Sequence, residues 1–167
     1  EFIRSVIVPP TYLKDNLTFQ SMVQKVTSIN SVSIHIRRTD YLNKYNIGIY
    51  GNICTKDYYD NAIQYIKSRV PDAHFYIFSD DKDYIKKHFN GEDFTIVDSE
   101  NQHDLFDFFL MRYCKHHIIA NATFSWWAAW LDDNPESIIC SPEKWLNTQE
   151  WDIYTPRMIK IPIEKKD

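Results

Sequence analysis

The stretch SVSIHIRRTDY at residues 31–41 decides the fold of this chain. The run Val32-Ser33-Ile34 near its start predicts a buried strand. Arg37 and Arg38 follow at the end of that strand, which is where open α/β sheets bind their ligands. A guanidinium keeps its charge at working pH, and its planar fork fits phosphate oxygens. The sequence therefore predicts an anion site at this point, with a phosphate or a diphosphate as the ligand.

Strands and helices alternate along the rest of the chain. Strands are predicted at 31–37, 74–79, 94–97, 117–120 and 137–140, and helices at 17–29, 55–69, 82–89, 104–114 and 124–131. The segment after Pro142 is predicted to be irregular. This alternation predicts an α/β fold with a mostly parallel sheet and helices on both faces. Right-handed crossovers would then bring several strand ends to one rim of the sheet.

Three short polar segments should meet on that rim: Arg37 and Arg38, residues 79–81, and residues 121–125. For the two arginines, structural ion pairs with Asp40 or another acid are the alternative to anion binding, because neighbouring strand residues point to opposite faces. His35 shares the strand face of Arg37, and we expect it to orient that side chain.

The segment Ser79-Asp80-Asp81 has three interpretations. Its carboxylates could accept hydrogen bonds from a guanine edge or from ribose hydroxyls. They could equally cap the helix that follows, since Ser and Asp are favoured at that position. Asp81 and Asp83 also form a loose DxD pattern, which suggests a metal site only weakly. The arginines reduce the need for a metal, because they can neutralise a diphosphate themselves.

The segment NATFS at residues 121–125 lies between a predicted strand and a predicted helix. Backbone N–H groups at a helix N-terminus attract anions, and the hydroxyls of Thr123 and Ser125 would add donors. A simple helix cap by Asn121 or Thr123 is the alternative. The three tryptophans at 126, 127 and 130 are expected to pack in the core rather than to bind a sugar, since such rings bury large areas.

Composition narrows the class of protein. The chain has 167 residues, enough for one domain with a proper core. A net charge of −4 argues against a nucleic-acid partner, and three glycines leave no Walker loop and no GxGxxG motif. Three widely spaced cysteines imply neither a disulfide framework nor a zinc site, and we expect reduced cytoplasmic thiols. No apolar run is long enough for a transmembrane helix.

Three motifs in order resemble those of the α-1,2-fucosyltransferases of glycosyltransferase family 11. They are HIRRTDY at 35–41, FSDD at 78–81 and NATFSWWAAWL at 121–131, and the helix DLFDFFLM at 104–111 is similar to that family as well. The resemblance implies a Rossmann-like domain, the GDP-sugar-binding half of a GT-B fold. It implies an N-terminal segment at 1–30 that belongs or leads to the acceptor-side domain, a GDP-fucose-binding domain at 31–147 and a C-terminal tail at 148–167.

The resemblance also implies a function. L-Fucose would pass from GDP-fucose to the 2-hydroxyl of a galactose-containing acceptor, with inversion and without a metal or other cofactor. The alternatives are a GDP-sugar-binding or glycan-binding module without turnover, a fucosyltransferase of different linkage, and a metal-dependent enzyme using Asp81 and Asp83. The expected location is the cytoplasm, or the periphery of the inner membrane face.

Site residues follow from the motifs. Arg37 would contact the β-phosphate of GDP, with support from Arg38 and His35 in the catalytic group. The residues expected to bind GDP-fucose are Arg37, Asp40, Ser79, Asp80, Asp81, Asn121, Thr123, Phe124 and Ser125. The resemblance does not assign the carboxylate that contacts guanine.

Overall fold

A single parallel sheet of six strands forms the centre of the computed structural model, which describes residues 2–99 and 104–164. The strands are β1 (Ser31–Ile36), β2 (His74–Ser79), β3 (Phe94–Ile96), β4 (His116–Ile118), β5 (Ile139–Pro142) and β6 (Met158–Ile161). Their order across the sheet is β3-β2-β1-β4-β5-β6, and every neighbouring pair is parallel. This order is that of the Rossmann fold, and it confirms the predicted fold class.

Seven helices occur in the described residues. They are α1 (Phe2–Val6), α2 (Thr11–Lys14), α3 (Leu17–Ser28), α4 (Lys56–Lys67), α5 (Lys82–His88), α6 (Asp104–Tyr113) and α7 (Thr123–Trp130). Short side chains cap several of them: Asn16, Thr55 and Asp81 each accept a hydrogen bond from the backbone N–H three residues later. None of the helices in these residues is long and apolar enough to cross a membrane.

The two faces of the sheet bury alternate residues of each strand. In β2, Phe75 and Ile77 pack against α4 and α5, whereas Tyr76 and Phe78 pack against α3 and α6. The period of two in a strand makes this division, and both faces are apolar because both carry helices. In β1 the isoleucines face α4, so the polar residues Ser33 and His35 face the other layer.

Two buried tyrosines of α4 fix the carboxyl ends of the central strands. The hydroxyl of Tyr59 donates to the carbonyl of His35 at 2.9 Å, and that of Tyr58 donates to the carbonyl of Ile119 at 2.6 Å. Each bond provides a donor to a backbone carbonyl at the end of a strand, where the hydrogen bonds between strands stop. A buried carbonyl without a donor would lower the stability of the fold. The chain therefore leaves β1 and β4 from defined positions.

The prediction of an irregular tail is wrong at Met158–Ile161, which forms β6 on the edge of the sheet. Two of its four residues are buried, so the apolar pattern is weak, as expected of an edge strand. The chain before residue 31 also contains more structure than predicted. Its α3 packs on α6, with the Phe19 and Phe106 ring centroids 5.3 Å apart. The domain boundaries at 30/31 and 147/148 stay predictions.

Candidate functional site

A cavity of about 440 Å³ opens beyond the carboxyl ends of β1, β2 and β4. In this sheet the strand order reverses between β1 and β4, because β2 and β3 lie on one side of β1 and the later strands on the other, and ligands bind in the crevice at that point. The cavity is lined by His35, Arg37, Asp40, Tyr41, Phe78, Ser79, Asp80, Asp104, Asp107, Ala122, Thr123 and Phe124. All three segments expected at the rim are therefore represented in its walls.

Arg37 is the cation of this cavity wall. Its Nε lies 2.8 Å from Oδ1 of Asp40, and its Nη2 donates to Oδ2 of the same carboxylate at 2.9 Å. Its Nε also lies 3.6 Å from Asp80. This pairing holds the pKa of Asp40 below its ordinary value and raises that of Arg37. The side chain is 40% exposed, so the guanidinium that these carboxylates orient is still open to a ligand.

Asp80 holds the turn that follows β1. Its carboxylate accepts hydrogen bonds from the backbone N–H of Arg38 at 3.0 Å and of Thr39 at 3.1 Å, and a further one from the hydroxyl of Thr39. Four contacts, including the one to Arg37, thus converge on one side chain from a neighbouring strand end. Asp80 lies in the cavity wall, but its oxygens are directed at the protein, which makes it a positioning group for Arg37.

Arg38 points away from this cavity. Its Nε lies 3.1 Å from Asp81, and its guanidinium lies over the Tyr84 ring at 3.7 Å. Asp81 in turn caps α5, and Ser79 accepts from the backbone N–H of Asp81. The structure thus gives Arg38 and Asp81 the structural roles weighed as alternatives, and the two arginines, which lie beyond the end of β1, take separate directions.

His35 is buried against α7. Its Nδ1 and the hydroxyl of Ser125 share a hydrogen bond of 2.9 Å, and its ring lies 5.6 Å from that of Phe124. This bond goes to Ser125 rather than to Arg37, which Asp40 and Asp80 orient instead. Burial lowers the pKa of His35 from 6.5 to about 4, and the charge of Arg37 acts in the same direction. At neutral pH the residue is therefore an uncharged ring in the cavity wall.

This low pKa makes the stability of the protein depend on pH. An unfolded chain takes up a proton at His35 near pH 6.5, whereas the folded chain resists it down to about pH 4. We expect the free energy of unfolding to fall by about 3 kcal/mol from this group as the pH drops through that window. Denaturation at pH 7 and pH 4.5 should show a smaller loss for His35→Gln than for the wild type. Ser125→Ala keeps the titrating ring and should keep the full loss; an equal loss in His35→Gln would contradict the assignment.

The N-terminus of α7 lies in the cavity wall. Ala122 occupies the cap position without a side-chain hydrogen bond, so within the described residues the cap by Asn121 or Thr123 that was the alternative to an anion site is absent. Thr123 is exposed at the cavity. Asn121 is buried, and its amide donates to the carbonyls of Tyr50 and Trp145, both at 3.1 Å. Asn121 is therefore a structural residue, because its side chain is used inside the protein.

Two carboxylates of the cavity wall were not predicted from the sequence. Asp104 and Asp107 lie on α6, three residues apart and hence on one side of the helix. Asp107 accepts a hydrogen bond from Ser99 at 2.9 Å, its other oxygen is buried without a partner in residues 2–99 and 104–164, and burial raises its pKa. The i,i+3 spacing of two acids among the apolar residues of this helix was the signal that could have found them.

Metal ligation has little support in the described part of the chain. It contains no group of three or more His, Cys, Asp or Glu side chains placed to hold an ion. Asp81, one half of the DxD pattern, is paired with Arg38 and caps a helix.

Residues 11–159 match the family model described as "Glycosyl transferase family 11". The chain is 34% identical to an alpha-1,2-colitosyltransferase of Escherichia coli over 99% of its own length and 57% of that relative. It is 37% identical to the O-antigen biosynthesis glycosyltransferase WbnK of Escherichia coli over 70% of its length and 39% of that protein.

A third relative is the galactoside 2-alpha-L-fucosyltransferase SEC1 of Bos taurus, 28% identical over 60% of the chain and 28% of that relative. The chain thus spans about half the length, or less, of the curated relatives it matches. No solved structure matches it.

Proposed function

This chain belongs to glycosyl transferase family 11, and from that premise we propose that it forms the donor-binding part of an inverting enzyme that transfers L-fucose from GDP-fucose to the 2-hydroxyl of a galactoside. The similarity to a galactoside 2-alpha-L-fucosyltransferase supports this donor and this linkage. Residues of all three motifs line one cavity, and this supports a nucleotide sugar as the donor.

The observation that carries the proposal is the position of Arg37. Its guanidinium lies in the cavity at the reversal point of the sheet, already oriented by Asp40 and Asp80. Nε and Nη2 each face Asp40, so among the contacts of the described residues both N–H groups of Nη1 and the second N–H of Nη2 are left to a ligand. A cation fixed in this way binds a diphosphate with little further ordering of the protein.

The chemistry required of this cation is stabilisation of a leaving group. As the bond between fucose and GDP breaks, negative charge grows on the β-phosphate and positive charge on the sugar ring. Donors fixed at the phosphate, namely Arg37 and the N–H groups at the start of α7, bind that state more tightly than the ground state. The acceptor hydroxyl attacks the anomeric carbon from the side opposite the departing GDP, which inverts the configuration, and its proton passes to water or to the departing diphosphate.

The base of the nucleotide has a suitable acceptor in the cavity wall. Asp80 and Asp81 are occupied by the turn after β1, by Arg38 and by α5. Asp107 keeps one oxygen without a hydrogen-bond partner in the described residues, and it lines the same cavity as Phe78 and Phe124. Guanine offers two neighbouring N–H donors on one edge, which suit a carboxylate of this kind. We therefore assign the base contact to Asp107.

A second donor has a specific observation in its favour. The relative matched over 99% of this chain is an alpha-1,2-colitosyltransferase. Colitose is fucose without its 3-hydroxyl, so the two donors share the nucleotide and differ only at the sugar. Arg37, α7 and Asp107 would serve either one equally.

Two assays on the full-length enzyme test the proposal. Calorimetry with GDP should show binding, and incubation with GDP-fucose and lactose should yield a fucosylated product whose linkage NMR assigns. If the same incubation yields product with GDP-colitose and none with GDP-fucose, the donor is GDP-colitose. Binding of GDP with turnover of neither sugar would support a binding module instead, and absence of GDP binding would reject the proposal.

We expect transfer to proceed without a metal ion. Arg37 and the N–H groups at the start of α7 can stabilise the charge on the leaving diphosphate, and Asp81 is already paired with Arg38. The transfer rate in excess EDTA should therefore equal the rate in added Mg²⁺ or Mn²⁺. A rate that collapses in EDTA and returns with either metal would favour the metal-dependent alternative.

A further inference from the structure

An aromatic groove lies beside the cavity. It has a volume of about 390 Å³ and is lined by Ile7, Phe108, Thr123, Phe124 and Trp127. Thr123 and Phe124 also line the cavity that holds Arg37. The two spaces are therefore neighbours, separated by the first turn of α7.

Phe124 forms the partition between them. Its ring lies 5.6 Å from His35 on the cavity side and 5.4 Å from Phe108 on the groove side. Thr123 and Trp127, four residues apart, lie on one face of the helix. Trp127 is 38% exposed, so the expectation that all three tryptophans pack in the core is wrong for this one. An indole left open on a helix next to a cavity is available to a ligand.

The segment at residues 4–7, which contributes Ile7 to the groove, is fixed to the protein at both ends. Arg4 donates to the carbonyl of Trp130 at 2.7 Å and lies over its ring at 4.4 Å, which ties α1 to the end of α7. Arg112 of α6 donates to the carbonyl of Ile7. The segment is thus held by two arginines, and the groove is formed before any ligand arrives.

We propose that this groove holds a pyranose ring of the acceptor, stacked on Trp127. The inference rests on the proposed function, because transfer requires the attacking hydroxyl to lie roughly 3–3.5 Å from the reacting carbon of the donor. The acceptor must therefore occupy a space that adjoins the donor cavity, and this groove does so. The hydroxyl of Thr123, at the boundary, adds a hydrogen-bonding group.

The chemistry of the walls suits a sugar. A galactose ring presents the C–H groups of C3, C4 and C5 on one face, and this apolar face packs on an indole while the hydroxyls at the ring edge stay in water. Indole offers a large, rigid contact surface for such a face. The groove also falls within the usual size range of ligand pockets.

The other neighbouring space is less suitable. A smaller cavity of about 200 Å³ shares Arg37 and Tyr41 with the first, and Arg38 and Lys56 also line it. Three cationic side chains favour an anion over an uncharged oligosaccharide. The aromatic groove is the better match for a neutral acceptor.

Kinetics of the full-length enzyme with GDP-fucose and lactose test this inference. Trp127→Ala should raise the KM for lactose roughly tenfold, the loss that corresponds to one good aromatic contact, and leave the KM for GDP-fucose and the Kd for GDP unchanged. Trp127→Phe should recover part of the lactose affinity. Trp151→Ala is the matched control, since Trp151 is 48% exposed and outside both spaces, and it should behave as wild type.

Two results would overturn the inference while the proposed function stands. One is an unchanged KM for lactose in Trp127→Ala. The other is an equal loss of lactose affinity, GDP affinity and thermal stability, which would mean that the indole is covered by another part of the full-length protein.

If the wild type transfers neither sugar, the proposed function fails instead. Titration of lactose against tryptophan fluorescence then decides: binding that depends on Trp127 supports the groove, and absence of binding rejects it.

Discussion

Arg37→Ala is expected to lower the rate of sugar transfer by about 100- to 1000-fold, the loss typical of removing one fixed donor from a developing anion. The same variant should bind GDP more weakly, because Arg37 is the cation of the cavity wall. The change leaves the fold intact, since the side chain is 40% exposed, Asp40 can turn to water, and Asp80 keeps its hydrogen bonds to the turn after β1. Measurement of kcat and KM in the full-length enzyme, with GDP calorimetry, checks both effects.

Two variants make this result specific. Arg37→Lys keeps the charge but loses the planar fork, so its rate should lie between those of wild type and Arg37→Ala. Arg69→Ala is the matched control, because Arg69 is an exposed arginine that contacts Tyr65 and Ser68 and lies outside the cavity wall. Turnover of Arg37→Ala at the wild-type rate would refute the assigned role.

Asp80→Ala is expected to damage both stability and activity. The change leaves the backbone N–H groups of Arg38 and Thr39 without their acceptor, and such a loss costs about 1–3 kcal/mol. It also frees the turn that carries Arg37, so the transfer rate should fall even at temperatures where the variant is fully folded. Urea denaturation gives the first quantity, and kcat with a saturating donor gives the second.

Comparison with two further variants separates position from charge. Asp80→Asn retains one acceptor oxygen and should recover part of the stability, but it loses the charge near Arg37. Asp152→Ala removes an exposed carboxylate in the C-terminal segment and should match wild type in both measurements. Full activity in folded Asp80→Ala would show that Arg37 needs no support from this residue.

The sequence predicted the position of Arg37 at the rim of the sheet because its signals are local. A strand followed by two arginines is a pattern of neighbouring residues, and the end of a parallel strand lies on the ligand-binding rim in this type of fold. The same holds for the N-terminus of α7, whose backbone direction follows from the strand before it. Asp81 shows the limit: its neighbours allowed a cap, a metal ligand or a nucleotide contact, and only its partners Arg38 and Tyr84 decided for structure.

Other parts of the site depend on residues far apart in the chain. Asp80 and the turn after β1 are about 40 residues apart, His35 and Ser125 are 90 apart, and Arg4 reaches Trp130 across 126 positions. No local pattern specifies such partners, because they follow from the register and order of the strands. The exposure of Trp127 is of the same kind, since an apolar helix gives no sign of which turn its neighbours leave uncovered.

The amino-acid sequence by itself determined the α/β class, the alternation of strands and helices, and the position of a permanent positive charge at the end of β1. These depend on side-chain period and short-range sterics, which act within a few residues. Only the tertiary structure decided that Arg37 rather than Arg38 faces the cavity, that Asp80 positions it, and that Trp127 and Asp107 line the spaces around it. Those outcomes depend on which strand ends the crossovers bring together, and hence on packing across the whole domain.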